Sequence, residues 1–339
     1  MKILLAAYGK GSSGIASYTL ELAKLLNKYL SVSLLSFDDL SSENQSKIDV
    51  INFKVKCKSR EFPLLTYIFN KSQLQDIIKN YDLVHETLPP WGSVSDRLIS
   101  TKWGYVSYLK LAYIRSLGMP FPENLGGFPV TLQHYIMDRM SFKRAKYIIN
   151  FNENSMYFVP PVIERKPIKS YEYANKLKIL FVSRDLNIHR KNASVLVEAL
   201  KYVKRPMELH LIGSGKIKAN LNHKIIYHGH LNRDEIMSLM RDVDVQILPS
   251  TYEELGFVGL EAYSVGLPLF TSNIQPFNAI FKPSPKFAPK NSKELANIIE
   301  FITFDQLETL GKREWEYVEE NNKFAVKRIL ELYSSSYKT

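Results

Sequence analysis

Apolar residues recur along the chain in short blocks, and the segments between them carry apolar positions at helical spacing. This pattern predicts two runs of alternating strands and helices. In the first run we predict strands at residues 2–8, 31–37, 50–57, 81–86, 98–105 and 146–151, and helices at 15–29, 67–79, 105–117 and 130–144. In the second run we predict strands at 177–183, 207–213, 224–229, 243–249 and 267–272, helices at 192–203, 233–242 and 257–264, and closing helices.

Strands that alternate with helices indicate parallel sheets. A glycine- and proline-rich loop is predicted at residues 118–129. Residues 164–176 are polar and charged, and we predict that they link two domains. Two such runs joined by a linker indicate two Rossmann-like domains.

Composition narrows the class of protein. The chain has 339 residues, of which 45% are hydrophobic and 23% charged, as in soluble globular proteins. No apolar run is long enough for a transmembrane helix, and Met1 leads directly into a strand, so we expect no signal peptide. The single cysteine, Cys57, excludes an internal disulfide and favours a cytoplasmic location.

The formal net charge of +11 fits nucleic acid, an anionic membrane or an anionic substrate as partner, and equally a solvated lysine-rich surface. The sequence contains no nucleic-acid module signature, so we expect no nucleic-acid partner.

Gly9, Gly11 and Gly14 form a G-x-G-x-x-G pattern directly after the first predicted strand. Glycines in such a loop allow a backbone and a helix N-terminus to approach a phosphate. The loop could bind NAD, with Asp38 or Asp39 bound to a ribose hydroxyl, but it could equally bind any other ligand with a pyrophosphate. A glycine turn without a ligand also remains open.

Residues 249–272 read PSTYEELGFVGLEAYSVGLPLFTS, in which seven residues separate Glu253 from Glu261. This segment resembles the donor-binding signature of retaining glycosyltransferases with the GT-B fold, notably family four. Residues 181–200 resemble a second segment of the same family, in which a strand is followed by an arginine, a short loop with a lysine, and a helix. There Arg184 and Lys191 fall on the two cations that bind the donor diphosphate, and Arg190 competes with Lys191 for its position.

The resemblance implies an α/β GT-B architecture, in which two Rossmann-like parallel-sheet domains face a central cleft. We expect an acceptor-binding domain at residues 1–165 and a nucleotide-sugar-binding domain at 166–315. A final helix at 316–339 is expected to pack back on the first domain. The glycine loop would then face the donor diphosphate, and Asp38 and Asp39 lose the ribose role.

The residue types fit a sugar nucleotide. Glu261 can accept hydrogen bonds from a ribose diol, and Glu253 can accept them from the sugar hydroxyls. Arg184 and Lys191 can stabilise the charge of a departing diphosphate. The resemblance adds further donor-binding positions, namely Ser13, Gly14, Gly213, Leu231, Gly256, Phe257 and Val258. Asp242 and Asp244 mimic a D-x-D metal motif but open a buried strand, so we interpret them as structural and expect neither a metal nor a cofactor.

The family's histidine, which lies near the donor sugar, has two candidate positions here. Spacing favours Trp103, which would replace the histidine, whereas His134 follows an apolar stretch as the motif does. If Trp103 holds the position, His134 is an ordinary helix residue. His85 either packs or faces the acceptor.

The sequence therefore predicts a metal-independent glycosyltransferase, with a hexose as the expected sugar. The alternatives are a binding-only GT-B partner subunit and a non-hydrolysing sugar-nucleotide epimerase; an NAD dehydrogenase would pair its Rossmann domain with a dissimilar one. Four cations within residues 54–60, and aromatic rings with Lys110 and Arg115 within 103–128, predict a peripheral contact with anionic membranes and a lipid-linked acceptor. The open alternative is that these rings pack in the domain core.

Overall fold

Each run of strands and helices builds its own six-stranded sheet, in which all neighbouring strands pair in parallel. The structure, a computed structural model, describes residues 1–6, 14–37, 48–56, 63–103, 127–172, 175–217 and 222–337. It divides into two units, Met1–Val162 with Asn322–Thr339, and Ile163–Asn321.

The first unit has the strand order β3-β2-β1-β4-β5-β6. Its strands are β1 (Lys2–Ala6), β2 (Ser31–Ser36), β3 (Asp49–Asn52), β4 (Leu83–Glu86), β5 (Leu98–Lys102) and β6 (Tyr147–Asn150). Because β1 lies in the middle and later strands are added on either side, the order of addition reverses between β1 and β4. This is the doubly wound arrangement, in which ligands bind beyond the carboxyl ends of the strands.

Among the described residues of the first unit, three helices connect strands: α1 (Gly14–Leu26), α2 (Pro63–Ile78) and α3 (Gly127–Phe142). Tyr67, Leu74 and Ile78 of α2 pack with Leu4 of β1 and Leu98 of β5 in one buried cluster. The apolar blocks therefore became strands because both faces of this sheet are covered.

The second unit repeats this arrangement with the strand order β12-β11-β10-β7-β8-β9. Its strands are β7 (Leu177–Asp185), β8 (Met207–Ser214), β9 (Lys224–Gly229), β10 (Val245–Leu248), β11 (Leu269–Ser272) and β12 (Lys286–Phe287). Its helices are α4 (Ala193–Leu200), α5 (Arg233–Asp242), α6 (Phe257–Val265), α7 (Gln275–Ile280), α8 (Ser292–Phe301) and α9 (Phe304–Tyr337), of which α9 continues into the first unit.

The predicted linker is not a free connection. Lys166 N and Lys169 N donate to the carbonyls of Ser264 and Val265 at the end of α6, at 2.9 and 2.8 Å. The Lys169 ammonium contacts the carbonyl of Val243, and burial lowers its pKa to about 8. The backbone of this segment therefore satisfies carbonyls at a helix C-terminus, and the segment belongs to the second unit.

Other differences concern element ends. Gly127–Pro129 begin α3 instead of ending the predicted loop, and the short strand β12 was not predicted. The predicted helix at 105–117, the rest of that loop and Cys57 lie outside the described residues. Among the described residues, no helix combines the length and apolar character that crossing a membrane requires.

Candidate donor site

The carboxyl ends of β7 and β10 lie side by side in the second sheet, where the order of strand addition reverses. A short 3₁₀ turn, His189–Lys191, follows β7, and Glu253 follows β10. Both segments therefore reach the place where doubly wound sheets bind ligands.

Glu253 is the carboxylate at this position, and it is 7% exposed. Its Oε1 contacts the Lys191 ammonium, and its Oε2 lies 3.2 Å from Arg190 Nη1. Ser250 Oγ donates to Oε1 at 3.2 Å. Burial alone would raise the pKa of Glu253, but the charges of Lys191 and Arg190 and the hydrogen bonds hold it below its ordinary value.

Backbone contacts fix the turn that carries these cations. Thr251 N donates to the carbonyl of Arg190 at 2.8 Å, which joins the two loops directly. Asn192 has a φ of 56°, and its side-chain amide donates to the carbonyls of Pro249 at 3.0 Å and Pro289 at 2.6 Å. The sequence left Arg190 and Lys191 as competitors for one position, whereas in the structure both contact Glu253.

Arg184 and the second glycine turn lie at the ends of β7 and β8. The Arg184 side chain is exposed, and its carbonyl accepts from Ser214 Oγ at 3.2 Å. Gly213 has a φ of +135°, and a Cβ there would lie 2.1 Å from the Ser183 carbonyl oxygen. Glycine is therefore required where the two strand ends approach each other.

Helix α6 begins beside Glu253. Gly256 precedes it with a φ of 73°, and a Cβ at this position would lie 2.5 Å from Cε1 of Phe277. Phe257 and Val258 form the first turn, whose backbone N–H groups attract an anion. Val258 and Leu231 both pack partly buried against one apolar cluster of this unit.

Glu261 lies one turn further along α6 and is 8% exposed. Arg233, the first residue of α5, donates from Nε to Glu261 Oε1 at 2.9 Å. The Arg233 guanidinium also lies 5.8 Å from the ring centre of Phe257. Sequence reasoning missed Arg233; the signal available was a cation directly after Asn232, which caps α5.

Trp103 follows β5 in the first unit. Its Nε1 donates to the carbonyl of Thr87 at 2.5 Å, and its ring lies 5.4 Å from Tyr18 and 4.9 Å from Phe151, centre to centre. His134 lies half-buried within α3. Trp103 therefore lies at a strand's carboxyl end and His134 on a helix, and which of them holds the position of the family's histidine stays a prediction.

His85 is fully buried, so its side chain packs inside the first unit and does not face an acceptor. Its Nδ1 lies 2.7 Å from Tyr333 Oη on α9, and its Nε2 lies 2.8 Å from Thr101 Oγ1. Burial lowers the pKa of His85 to about 3, so the ring is neutral. Gly14 begins α1, whereas Gly9, Gly11, Ser13, Asp38 and Asp39 lie outside the described residues.

Asp244 is a structural residue at the opposite edge of the second sheet. Its Oδ2 accepts from Lys178 N at 2.7 Å, which caps the amino ends of β7 and β10. Lys178 Nζ donates to the carbonyl of Asp242 at 3.3 Å. Within the described ranges, no cluster of three or more His, Cys, Asp or Glu side chains could hold a metal ion.

Comparison with known proteins shows which class of protein this chain resembles. Residues 162–320 match the family model described as Glycosyl transferases group 1. An uncharacterized glycosyltransferase of Methanocaldococcus jannaschii is 29% identical over 170 residues, which are 46% of this chain and 41% of that relative. A second uncharacterized glycosyltransferase of the same organism is 26% identical and aligns with 94% of this chain and 93% of its own length. The structure of Anabaena HepE in complex with UDP-glucose superposes with a TM-score of 0.67 at 16% identity, over 100% of this chain and 99% of that one.

The two doubly wound units and this likeness over the whole chain define a protein with the GT-B fold. Residues 162–320, which form nearly all of its second unit, resemble the glycosyl transferases group 1 family, and the relative that aligns over nearly the full length is described as a glycosyltransferase. The predicted fold and the resemblance to this group are confirmed. The narrower assignment to family four stays a prediction.

Proposed function

We propose that this chain transfers a sugar, a hexose, from a nucleotide-diphosphate sugar to an acceptor, with retention of the anomeric configuration. The observation that carries the proposal is the placement of Glu253, Arg190 and Lys191 together where the strand order of the second sheet reverses. The bound UDP-glucose of Anabaena HepE supports a donor of this class.

Glu261 would bind the ribose of the donor. A carboxylate can accept hydrogen bonds from both hydroxyls of a diol, and each charge-assisted bond contributes about 1.5–3 kcal/mol. The hydrogen bond from Arg233 to Oε1 holds the Glu261 carboxylate in one orientation, so less conformational entropy is lost when the donor binds. Phe257 and Val258 supply backbone N–H groups next to it.

Arg184, Arg190 and Lys191 would bind the diphosphate. Glu253 pairs with two of these cations in the structure, and a diphosphate competes for the same positive charge. When the diphosphate takes up part of this charge, Glu253 can accept hydrogen bonds from sugar hydroxyls.

The reaction breaks the bond from the anomeric carbon to the diphosphate oxygen. The acceptor oxygen forms a bond to that carbon on the same face, and its proton passes to the departing diphosphate oxygen. Negative charge grows on the diphosphate as the bond breaks, and the cations stabilise it. Because side chains supply this charge, we propose a reaction that needs neither metal nor cofactor.

The acceptor would bind the first unit, where Trp103 follows β5. We propose a lipid-linked acceptor on a cytoplasmic membrane surface, from the cation-rich residues 54–60 and the aromatic residues within 103–128. Most of these residues lie outside the described ranges.

A binding-only partner is the second candidate, and the observation that favours it is Trp103. Its indole nitrogen is engaged with the Thr87 carbonyl, and an indole cannot exchange a proton as an imidazole does. Such a protein would bind a sugar nucleotide and leave it intact.

The test incubates the chain with UDP-, GDP- and ADP-sugars, with and without EDTA and with water as the acceptor, and follows the first released sugar by NMR. A product with retained configuration in both conditions supports the proposal. An inverted product contradicts retention, and dependence on a divalent cation contradicts the metal-independent reaction. Binding without turnover indicates the partner subunit, and an epimerised sugar indicates the epimerase.

A further inference from the structure

Among the side chains that the structure describes, five large apolar ones are exposed on two helices of the first unit. On α2, Leu65, Ile68 and Phe69 are 49%, 54% and 60% exposed, and on α3, Leu132 and Ile136 are 58% and 38% exposed. Their spacings of three and four residues place each set on one helix face. We name these five residues the apolar surface.

The two helix faces lie on the same side of the molecule. The opposite face of α2 packs through Tyr67 and Leu74 on a core cluster that Met140 of α3 also contacts, and the two helices contact each other. Their outer faces therefore point away from the same face of the first sheet. Isolated exposed apolar residues are common on protein surfaces, but two adjacent rows form an apolar patch of the kind that contacts a membrane or another protein.

The apolar surface lies towards the edge of the sheet where an acceptor would bind. Helix α2 leads from the carboxyl end of β3 to the amino end of β4, and α3 leads in the same way to β6. In a parallel sheet such helices run opposite to the strands, so both begin at the carboxyl edge. All five residues lie in the first two-thirds of their helices, and Trp103 follows β5 at this same edge.

Cations accompany the apolar surface. Lys71 on α2, Arg139 on α3 and Lys143 just after it are exposed, as are Lys54 and Lys56. The Lys56 backbone is bound to the Asn70 side chain of α2 at 2.8 Å, which keeps the two lysines beside this helix.

Acidic residues on these helices offset little of that charge. The exposed acid of α2, Asp76, pairs with Lys79 at 2.8 Å. Asp138 of α3 is only half-exposed. Apolar side chains bordered by cations complement an anionic bilayer, in which rings enter the headgroup region and cations meet phosphates.

We infer that the apolar surface docks the first unit on an anionic membrane, with Ile68 and Phe69 inserted and with Lys71, Arg139 and Lys143 at the phosphate level. This inference extends the proposed function, because docking on a membrane would bring the chain to the lipid-linked acceptor proposed above, and it rests on that proposal. Vesicle binding needs no donor and no sugar transfer, so its failure is distinguishable from failure of the proposed reaction.

The test is co-sedimentation of the full chain with phosphatidylglycerol vesicles and, separately, phosphatidylcholine vesicles. The double variant Ile68→Gln, Phe69→Gln should lower binding to the anionic vesicles about tenfold or more, which corresponds to about 1.4 kcal/mol. Phe301→Gln is the matched control, because Phe301 is a 77% exposed phenylalanine on α8 of the second unit, and it should bind as the native chain does. Salt should weaken native binding, because exposed cations act through screened charge.

A second variant separates insertion from loss of folding. The tryptophan introduced by Phe69→Trp should be quenched by brominated lipids in anionic vesicles, whereas Phe301→Trp should add no quenching. The inference is overturned if the native chain stays in the supernatant or binds both vesicle types equally. It is also overturned if the double variant binds like the native chain and Phe69→Trp adds no quenching, which would move the contact to another surface, such as residues 104–126.

Discussion

The Lys191 ammonium contacts Oε1 of Glu253, and this ion pair joins the loop after β7 to the loop after β10. The side chains of Lys191 and Glu253 are 15% and 9% exposed, so the pair is largely withdrawn from water. A buried carboxylate that loses a partner is costly, and a diphosphate would compete for this same cation. We therefore propose that the pair links stability to donor binding.

Lys191→Met should lower both the stability and the donor affinity of the chain. The loss of a hydrogen bond to a charged group costs about 1.5–3 kcal/mol of unfolding free energy. Urea unfolding and titration calorimetry measure the two effects. Lys290→Met changes an exposed lysine of the same unit and should leave both at native values; a Lys191 variant that matches this control would refute the role of the pair.

Glu261→Ala and Arg184→Ala should separate binding from chemistry. Glu261 would contact the ribose equally in the ground state and the transition state, so its loss should raise KM for the donor and leave kcat nearly unchanged. Arg184 would face charge that grows as the diphosphate departs, so its loss should also lower kcat. Steady-state kinetics of both variants check this, and native kinetics would show that the roles are wrong.

Arg233→Ala should weaken donor binding through Glu261. Because the two side chains share one hydrogen bond, the effects of Arg233→Ala and Glu261→Ala should not add, and the coupling should be about 0.5–3 kcal/mol. A double-mutant cycle on donor affinity measures it. Arg241→Ala, at the other end of α5, is the control; additive effects would contradict a positioning role for Arg233.

His85 should make the first unit less stable in acid. Burial lowers its pKa from an ordinary 6.5 to about 3. Between these values the unfolded chain binds a proton that the folded chain excludes, so stability falls as the pH falls through this window. Melting temperatures of His85→Gln should depend less on pH there than those of the native chain, whereas the exposed His230→Gln should follow the native curve. Parallel curves for native and His85→Gln protein would contradict this.

Periodicity was sufficient for most of the fold, because the central strands of both sheets are buried on both faces and read as short apolar blocks. Residues 233–242 became α5 with the predicted ends, where Asn232 and Glu235 form a capping box. The segment predicted as a linker, residues 164–176, also contacts α6, because the backbone N–H groups of Lys166 and Lys169 donate to carbonyls at its end. Periodicity could not show this contact, which joins residues about a hundred positions apart.

The candidate site was predictable where a motif carries it, and not where a side chain approaches from another element. Glu253, Lys191 and Glu261 followed from the resemblance. Arg233 could not be identified, because its contact with Glu261 depends on how α5 packs beside α6. The sequence also left the role of Arg190 undecided, because spacing alone cannot show that two consecutive cations both contact the same carboxylate.

The measurement that tests the central claim most directly is thermal unfolding with UDP-, GDP- and ADP-sugars and with NAD. At about a hundred times its dissociation constant, a true donor should stabilise the chain by about 2.7 kcal/mol. We expect at least one sugar nucleotide to raise the melting temperature of the native chain, a much smaller rise for Glu261→Ala, and no rise with NAD. Stabilisation by NAD and by no sugar nucleotide would contradict the account.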